Sequence, residues 1–223
     1  MKTFVIGDIH GEYDKFINCL DHVKFDLDND QLIQLGDVVD RGPKSFEVVD
    51  HLLKFKNLIP IRGNHDVCFL NYLRSGQQNV LWNQGGRETY ESYYNNCDGD
   101  IEKFPIEHLL FFKNQLNYYV DENNICFVHA GFKPEYLIYE QPEISDLYWD
   151  RDLWNSALKA EESKTPLVTM NAFKMIYIGH TPTTYYNSKE PMRAANIINL
   201  DTGCGKGGLL TIYNLETGEF YQN

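Results

Sequence analysis

A chain of 223 residues carrying 20 Lys and Arg against 32 Asp and Glu, formal net charge −12, is expected to form one domain spanning 1–223. It is a poor candidate for a nucleic-acid partner, whose binding rests on Lys and Arg at phosphates. No apolar run approaches a membrane span, Met1–Gly7 is too short an apolar start for a signal peptide, and five scattered cysteines without a Cys-x-x-Cys pair suggest neither disulfide framework nor zinc finger, so a cytoplasmic location without a membrane partner is expected.

Apolar runs alternate with amphipathic stretches through the first third, the pattern of an α/β fold with parallel strands. Thr3–Gly7 reads as a buried strand, and Glu12–Val23 as a helix with Phe16, Leu20 and Val23 facing inward. Gln31–Leu35 is the next strand. Pro43 suits the first turn of a helix running to about Phe55, with Phe46, Val49, Leu52 and Leu53 at helical spacing. Leu58–Ile61 is a third strand. Residues from Asn64 to about Phe112 look helical, with a polar insertion within 75–94 placed to act as a lid or to face a substrate. Tyr118–Val120 and Ile125–Val128, joined by Asp121-Glu122-Asn123-Asn124, read as a hairpin. Met175–Ile178, Ile197–Leu200 and Leu209–Tyr213 are further strands, closed by a turn at Glu216-Thr217-Gly218. Strands in both halves imply two packed sheets flanked by helices, one mostly parallel and one more mixed.

Five polar signatures interrupt this pattern: Gly7-Asp8-Ile9-His10-Gly11, Gly36-Asp37-Val38-Val39-Asp40-Arg41-Gly42, Gly63-Asn64-His65-Asp66, Val128-His129-Ala130-Gly131 and Gly179-His180-Thr181. Each follows a strand at its carboxyl end, where open α/β sheets bind ligands. Asp8 and His10, two apart in extended chain, serve one cation only if the backbone turns between Gly7 and Gly11. Asp37 has two oxygens with which to bridge a pair of cations. Asn64, His129 and His180 add a neutral oxygen and two imidazoles. A donor set of oxygen and nitrogen without thiolate favours manganese, with iron or zinc as alternatives, over calcium. Such a constellation suits phosphate-ester hydrolysis at two divalent metal ions.

The ordered motifs GDIHG, GDVVDRG, GNHD, VHAG and GHT resemble the phosphoprotein phosphatase branch of the metallophosphoesterases, in particular the compact serine/threonine phosphatases of bacteria and bacteriophage lambda type. The resemblance extends from Gly7 to about Leu210. It implies a calcineurin-like four-layer sandwich of two mixed β-sheets flanked by helices. It also implies metal ligation by Asp8, His10 and Asp37 on one side and by Asp37, Asn64, His129 and His180 on the other. The ions would share a water acidified enough to attack phosphorus in line. His65, oriented by Asp40, would protonate the leaving oxygen, while Arg41, Asn64 and, from the Tyr148-Trp149-Asp150-Arg151 segment, Arg151 would hold the phosphate. For Arg151 the alternative is a surface ion pair with Asp150 or Asp152.

The expected substrate is a phosphoserine or phosphothreonine protein or peptide, or a small phosphoester. Symmetrical bis(5'-nucleosyl)-tetraphosphatase activity is the enzymatic alternative, disfavoured modestly by this chain's length, and a metal-binding scaffold is the non-enzymatic one. Arg62, His22, His51, His108 and Cys204 read as structural. Tyr185 and Tyr186 follow the Gly179-His180 motif closely enough to flank a substrate, and Trp82, Gly85 and Gly86 read as a structural cap for a helix beginning near Arg87. Oligomeric state is not legible.

Overall fold

A computed structural model describes residues 1–223. In chain order its elements are β1 (Thr3–Ile6), α1 (Tyr13–Val23), β2 (Gln31–Gln34), α2 (Ser45–Leu52), β3 (Asn57–Pro60), α3 (Asn64–Ser75), α4 (Gly86–Asn96) and α5 (Ile106–Asn114). They continue with β4 (Tyr118–Val120), β5 (Ile125–Val128), α6 (Asp146–Trp149), α7 (Asp152–Ser163), β6 (Met175–Ile178), β7 (Met192–Ala194), β8 (Ile197–Asn199), β9 (Thr211–Asn214) and β10 (Phe220–Gln222).

The strands form two five-stranded sheets, ordered β10-β9-β1-β2-β3 and β4-β5-β6-β8-β7. Both are mixed. β1, β2 and β3 run parallel with β9 antiparallel to β1, and β5, β6 and β8 run parallel with β4 and β7 antiparallel at the edges. The expected contrast between a mostly parallel and a more mixed sheet is therefore absent.

Strand alternation sorts the side chains into layers. Phe4 and Ile6 of β1 and Leu32 of β2 face the helices α1 to α5. Val5 and Ile33, from the same strands, turn the other way and meet Phe127, Tyr177 and Ile198 of the second sheet. Cys126, Val128, Ile176 and Ile178 then face α7, whose Leu153, Trp154 and Ala157 are buried. The result is the helix, sheet, sheet, helix order of the expected α/β sandwich. At about 25 cal/mol per Å² of apolar surface, two sheets buried on both faces supply the main driving force for folding.

Local differences have local causes. α2 starts at Ser45, two residues after Pro43, and ends at Leu52, which leaves Leu53 41% exposed beyond the helix instead of inward. The last long strand begins at Thr211 rather than Leu209, because Thr202 Oγ1 and the Gly203–Leu209 bridge hold the preceding residues in a loop. β7, β10 and α7 have no counterpart among the sequence expectations. No helix is long and apolar enough to cross a membrane.

Candidate active site

All five signatures lie just past the carboxyl ends of parallel strands β1, β2, β3, β5 and β6. To turn the polar side chains inward the backbone takes left-handed φ at His10 (50°), Asp37 (56°), Asp40 (71°), Arg41 (71°) and His180 (66°). Such residues cost roughly 1–2 kcal/mol each relative to right-handed backbone. Hydrogen bonds between the turns hold them: Ile9 and His10 N–H both donate to Asp37 O at 3.1 and 2.9 Å, and Gly42 N–H donates to His10 O at 2.8 Å. A β-carbon at Gly179 would collide with the Asp8 carboxylate. Glycine there lets the last motif close on the first, and His180 N–H donates to Asp8 Oδ2 at 3.1 Å.

Asp37 sits at the middle of the cluster. Its Oδ2 is 3.7 Å from His10 Nε2, 3.5 Å from His129 Nε2 and 3.9 Å from His65 Nε2. Asp8 lies 4.0 Å from His10 Nε2. Asn64 Oδ1 is 3.1 Å from His129 Nε2 and 2.9 Å from His180 Nδ1. Ligand atoms of His10, Asp37 and His65, and of Asp37, His129 and His180, lie within 4.8 Å of one another, and all these residues are buried.

The donor chemistry fits a pair of cations. His10 Nδ1 faces Val39 O at 2.8 Å and His129 Nδ1 faces Leu35 O at 2.7 Å, so backbone carbonyls take one nitrogen of each ring and the Nε2 atoms point inward, the usual arrangement of metal-binding imidazoles. His180 Nε2 is buried without any partner. His65 also falls within reach, but its Nδ1 is engaged at 2.6 Å by Asp40, which suits it to proton transfer better than to ligation.

Electrostatics separate the groups further. Burial and the neighbouring Asp201 push the Asp8 carboxyl well above the usual carboxylate range. Burial acts the same way on Asp37, yet His129 and His65 outweigh it and hold that carboxyl well below its ordinary value. Burial lowers His10, aided by His65 and Arg41, and lowers His180, aided by His129. Both rings are therefore neutral and able to ligate. Burial opposes charge on His129 as well, but Asp37 raises it to about 10.

Beside this cluster opens a cleft of about 280 Å³ lined by Arg41, Asn64, His65, Trp149 and Arg151 among others. Arg41 Nη1 meets His10 Nε2 and Nη2 meets His65 Nε2 at 3.1 Å. Arg151 makes no ion pair with Asp150 or Asp152; the Asp150 carboxylate instead accepts from Leu153 N–H at 2.9 Å, at the start of α7. The alternative expected for Arg151, a surface salt bridge, is thus not formed.

The polar insertion contributes Val80, Leu81 and Gln84 to the cleft. Its Gly85 packs so tightly on the Arg41 backbone that a β-carbon would not fit, and Arg41 N–H donates to Gly85 O at 3.3 Å. Thr89, four residues on, touches Asp40. The sequence alone gives this stretch as a lid or substrate-facing insertion and a helix cap; that it braces Arg41 and Asp40 is visible only in the fold. The same holds for Asp66, inside the Gly63-Asn64-His65-Asp66 motif, whose carboxylate accepts from the N–H groups of Asp37 (3.0 Å), Val38 (3.0 Å) and Gly63 (3.1 Å) and from Gln115 Nε2 (2.8 Å).

The sequence model described as calcineurin-like phosphoesterase matches residues 1–201. The chain belongs to the calcineurin-like phosphoesterase family. It is similar to the asymmetrical bis(5'-nucleosyl)-tetraphosphatase PrpE of Oceanobacillus iheyensis, 28% identical over 241 residues covering 99% of this chain and 91% of the relative. It is also 28% identical to serine/threonine-protein phosphatase 2 of Escherichia coli over 218 residues, covering 96% and 92%. The symmetrical bis(5'-nucleosyl)-tetraphosphatase of Neisseria meningitidis serogroup A is 27% identical over 284 residues, covering 100% and 95%. Among solved structures, a putative diadenosine tetraphosphatase superposes with a TM-score of 0.72 at 20% identity, covering 100% of this chain and 92% of that one, a likeness of fold. Phosphoesterase relatives of both substrate kinds thus match nearly end to end. The symmetrical relative aligns over 284 positions and the phosphatase over 218, so the 223 residues of this chain are nearer the phosphatase in length.

The remaining residues divide cleanly. Tyr185 lines the cleft, but Tyr186 turns away to Asn155 Oδ1 (3.2 Å) and Trp154. Arg62 donates to Asn117 and to the Lys113 carbonyl, away from the cleft. His22 stacks on Tyr221, His51 packs on Phe16 and Tyr13, and His108 bonds Tyr93. Cys204 is buried.

Proposed function

We propose that this chain is a metal-dependent phosphohydrolase that removes the phosphoryl group of phosphoserine- or phosphothreonine-type monoesters. The observation that carries the reading is the Asp37 carboxylate between two groups of inward-facing imidazoles, with the His65–Asp40 pair at its side. Asp8, His10 and Asp37 would hold one divalent cation and Asp37, Asn64, His129 and His180 the other, with manganese favoured and iron or zinc accepted by the same donors. When bound, the two cations acidify water and offset phosphoryl charge.

The chain's own side chains supply the rest. Arg41 and Arg151 offer guanidinium N–H donors to the phosphoryl oxygens, where charge-assisted and bidentate contacts are strongest. Asn64 adds an amide at the same wall. As the imidazolium, His65 donates its Nε2 proton to the leaving oxygen, while Asp40, accepting from Nδ1–H, orients the ring and stabilises its positive charge. Asp37, Asn64 and His65 are buried at the floor of the cleft, where bulk water competes least for them.

Cleavage of a dinucleoside tetraphosphate is the second reading, supported by a third cation on the cleft wall, Lys206. Phosphate release from p-nitrophenyl phosphate, a phosphoserine peptide and diadenosine tetraphosphate, each measured with manganese and with a chelator, tests both. Chelator-sensitive turnover of any of the three is expected. Full activity in the chelator would overturn the metal-dependent reading, and rapid dinucleotide cleavage beside negligible peptide turnover would replace the first substrate with the second.

A further inference from the structure

Asp201 follows β8 by two residues, as His180 follows β6, and the two strands run parallel. Both residues therefore reach the same edge of the second sheet. The segment from Leu200 to Gly205 folds over the turn that carries Asp8 and His10: a β-carbon on Gly7 would collide with Leu200 O, Cys204 Sγ donates to Ile9 O at 3.5 Å, and a β-carbon on Gly205 would lie 2.6 Å from the His10 ring. From the other side Thr183 N–H, three residues past His180, donates to Asp201 O at 2.8 Å. Asp201 is thus fixed between the first motif and the last.

Its side chain is 2% exposed, and only one of its oxygens is used. Oδ1 accepts the Gly203 N–H at 2.9 Å, an ordinary turn contact that an asparagine makes equally well. Oδ2 is buried with no partner. Asp66, equally enclosed, is met by four donors, so an unanswered carboxylate oxygen is not how this fold usually treats a buried acid. The neighbouring carboxyl is Asp8, which accepts from His180 N–H at 3.1 Å, and after burial itself Asp201 is what most raises it above the usual carboxylate range. Two acids placed together out of water, one with a free oxygen, oppose folding unless positive charge joins them.

We propose that Asp201 strengthens cation binding at the Asp8, His10 and Asp37 position from outside the ligand set, and that its repulsion against Asp8 destabilises the metal-free chain. This rests on the reading of the cluster as a metal site. Three protein donors leave places for water around a divalent cation, and a carboxylate just beyond them adds negative charge and an acceptor for that water. Asp201 is a positioning residue; it touches neither substrate nor the reacting atoms.

The test is calorimetric titration of the metal-stripped chain with manganese, beside a melting curve of the same metal-free protein. Asp201→Asn retains an Oδ1 acceptor for Gly203 N–H and removes the charge. It should weaken one manganese position about tenfold or more and the other less than about threefold, while the metal-free melting temperature stays level or rises. A residue that merely holds its turn would move neither in this way. The loss should persist in an Asn64→Ala background and vanish beside His10→Ala, which dismantles the position concerned. Unchanged manganese affinity, an equal loss at both positions, or a loss that survives His10→Ala overturns the proposal. So does a metal-free variant that melts earlier than the wild type, provided that Asp201→Ser, whose hydroxyl also serves such a turn, melts earlier too; if the serine variant instead shows weaker binding with undiminished melting, the proposal stands. A wild-type chain that binds no manganese, iron or zinc overturns the metal reading itself, a result distinct from a variant that binds as the wild type does.

Discussion

The Thr89 hydroxyl accepts the Asp40 N–H at 2.7 Å and donates to Asp40 Oδ1 at 2.8 Å, while Asp40 Oδ2 takes the His65 ring at 2.6 Å. One side chain of α4 thus fixes both the backbone and the carboxylate of the residue that aims His65. Ser45 Oγ, 3.1 Å away, completes the buried network. The insertion is in this way part of the frame of the site as well as its rim.

Thr89→Val keeps the shape and removes the hydroxyl. It should lower kcat roughly tenfold through misaligned His65, with KM changed less than twofold and stability reduced by about 1–3 kcal/mol from the unpaired Asp40 groups. Thr89→Ser should keep most of the activity. Steady-state kinetics with a melting curve on each variant checks this, and a Val variant with unaltered kcat would remove Thr89 from the positioning role.

His65→Asn removes the proposed proton donor. Turnover of an alkyl phosphate should fall by about 10² to 10³, whereas p-nitrophenyl phosphate, whose phenolate leaves readily unprotonated, should lose far less. Comparing kcat on the two substrates is the check. Equal losses would mean that His65 serves binding or ligation instead.

Metal uptake should release protons. Asp37 raises His129 to about 10 in the metal-free protein, so at neutral pH a cation must displace the imidazole proton, and manganese affinity should rise about tenfold per pH unit between roughly pH 6 and 9. Titration calorimetry in buffers of different ionisation heat counts the protons. The same pairing bears on stability without metal. His129 sits above its ordinary 6.5, so its contribution is fully present below that value and is lost as pH rises towards about 10. Proton uptake on metal binding, or none, would contradict this.

Asp66→Asn places an amide NH₂ among donors that now share a carboxylate. The loss of about 2–3 kcal/mol corresponds to a Tm lower by roughly 4–12 °C for a chain of this size. Because the Asp37 N–H is one of those donors, manganese affinity should fall with it. A variant that melts earlier but binds manganese as before would confine Asp66 to stability.

The strands that carry the motifs were readable because each is a short apolar run with a glycine within three residues of its end, and the hairpin of β4 and β5 appeared with its bounds intact. α7 is equally legible in the sequence, since Leu153, Trp154, Ala157 and Ala160 recur at helical spacing. β7 and β10 are three-residue edge strands that exist through pairing with β8 and β9. Local pattern has little to say about such segments. Leu53 went astray because α2 stops at Leu52, one residue before the apolar spacing does.

What the sequence by itself determined is the candidate donor set and its order. Asp8, His10, Asp37, Asn64, His129 and His180, each within two residues of a glycine, are local facts of residue type and turn chemistry. Only the tertiary structure decided which side chains meet across the chain. Thr89 reaches Asp40 over 49 residues and Lys206 reaches Tyr185 over 21. Tyr185 and Tyr186, adjacent in sequence, face opposite ways. Such meetings depend on the order of strands in two sheets and on the paths of the loops between them, and neither is written in any window of neighbouring residues.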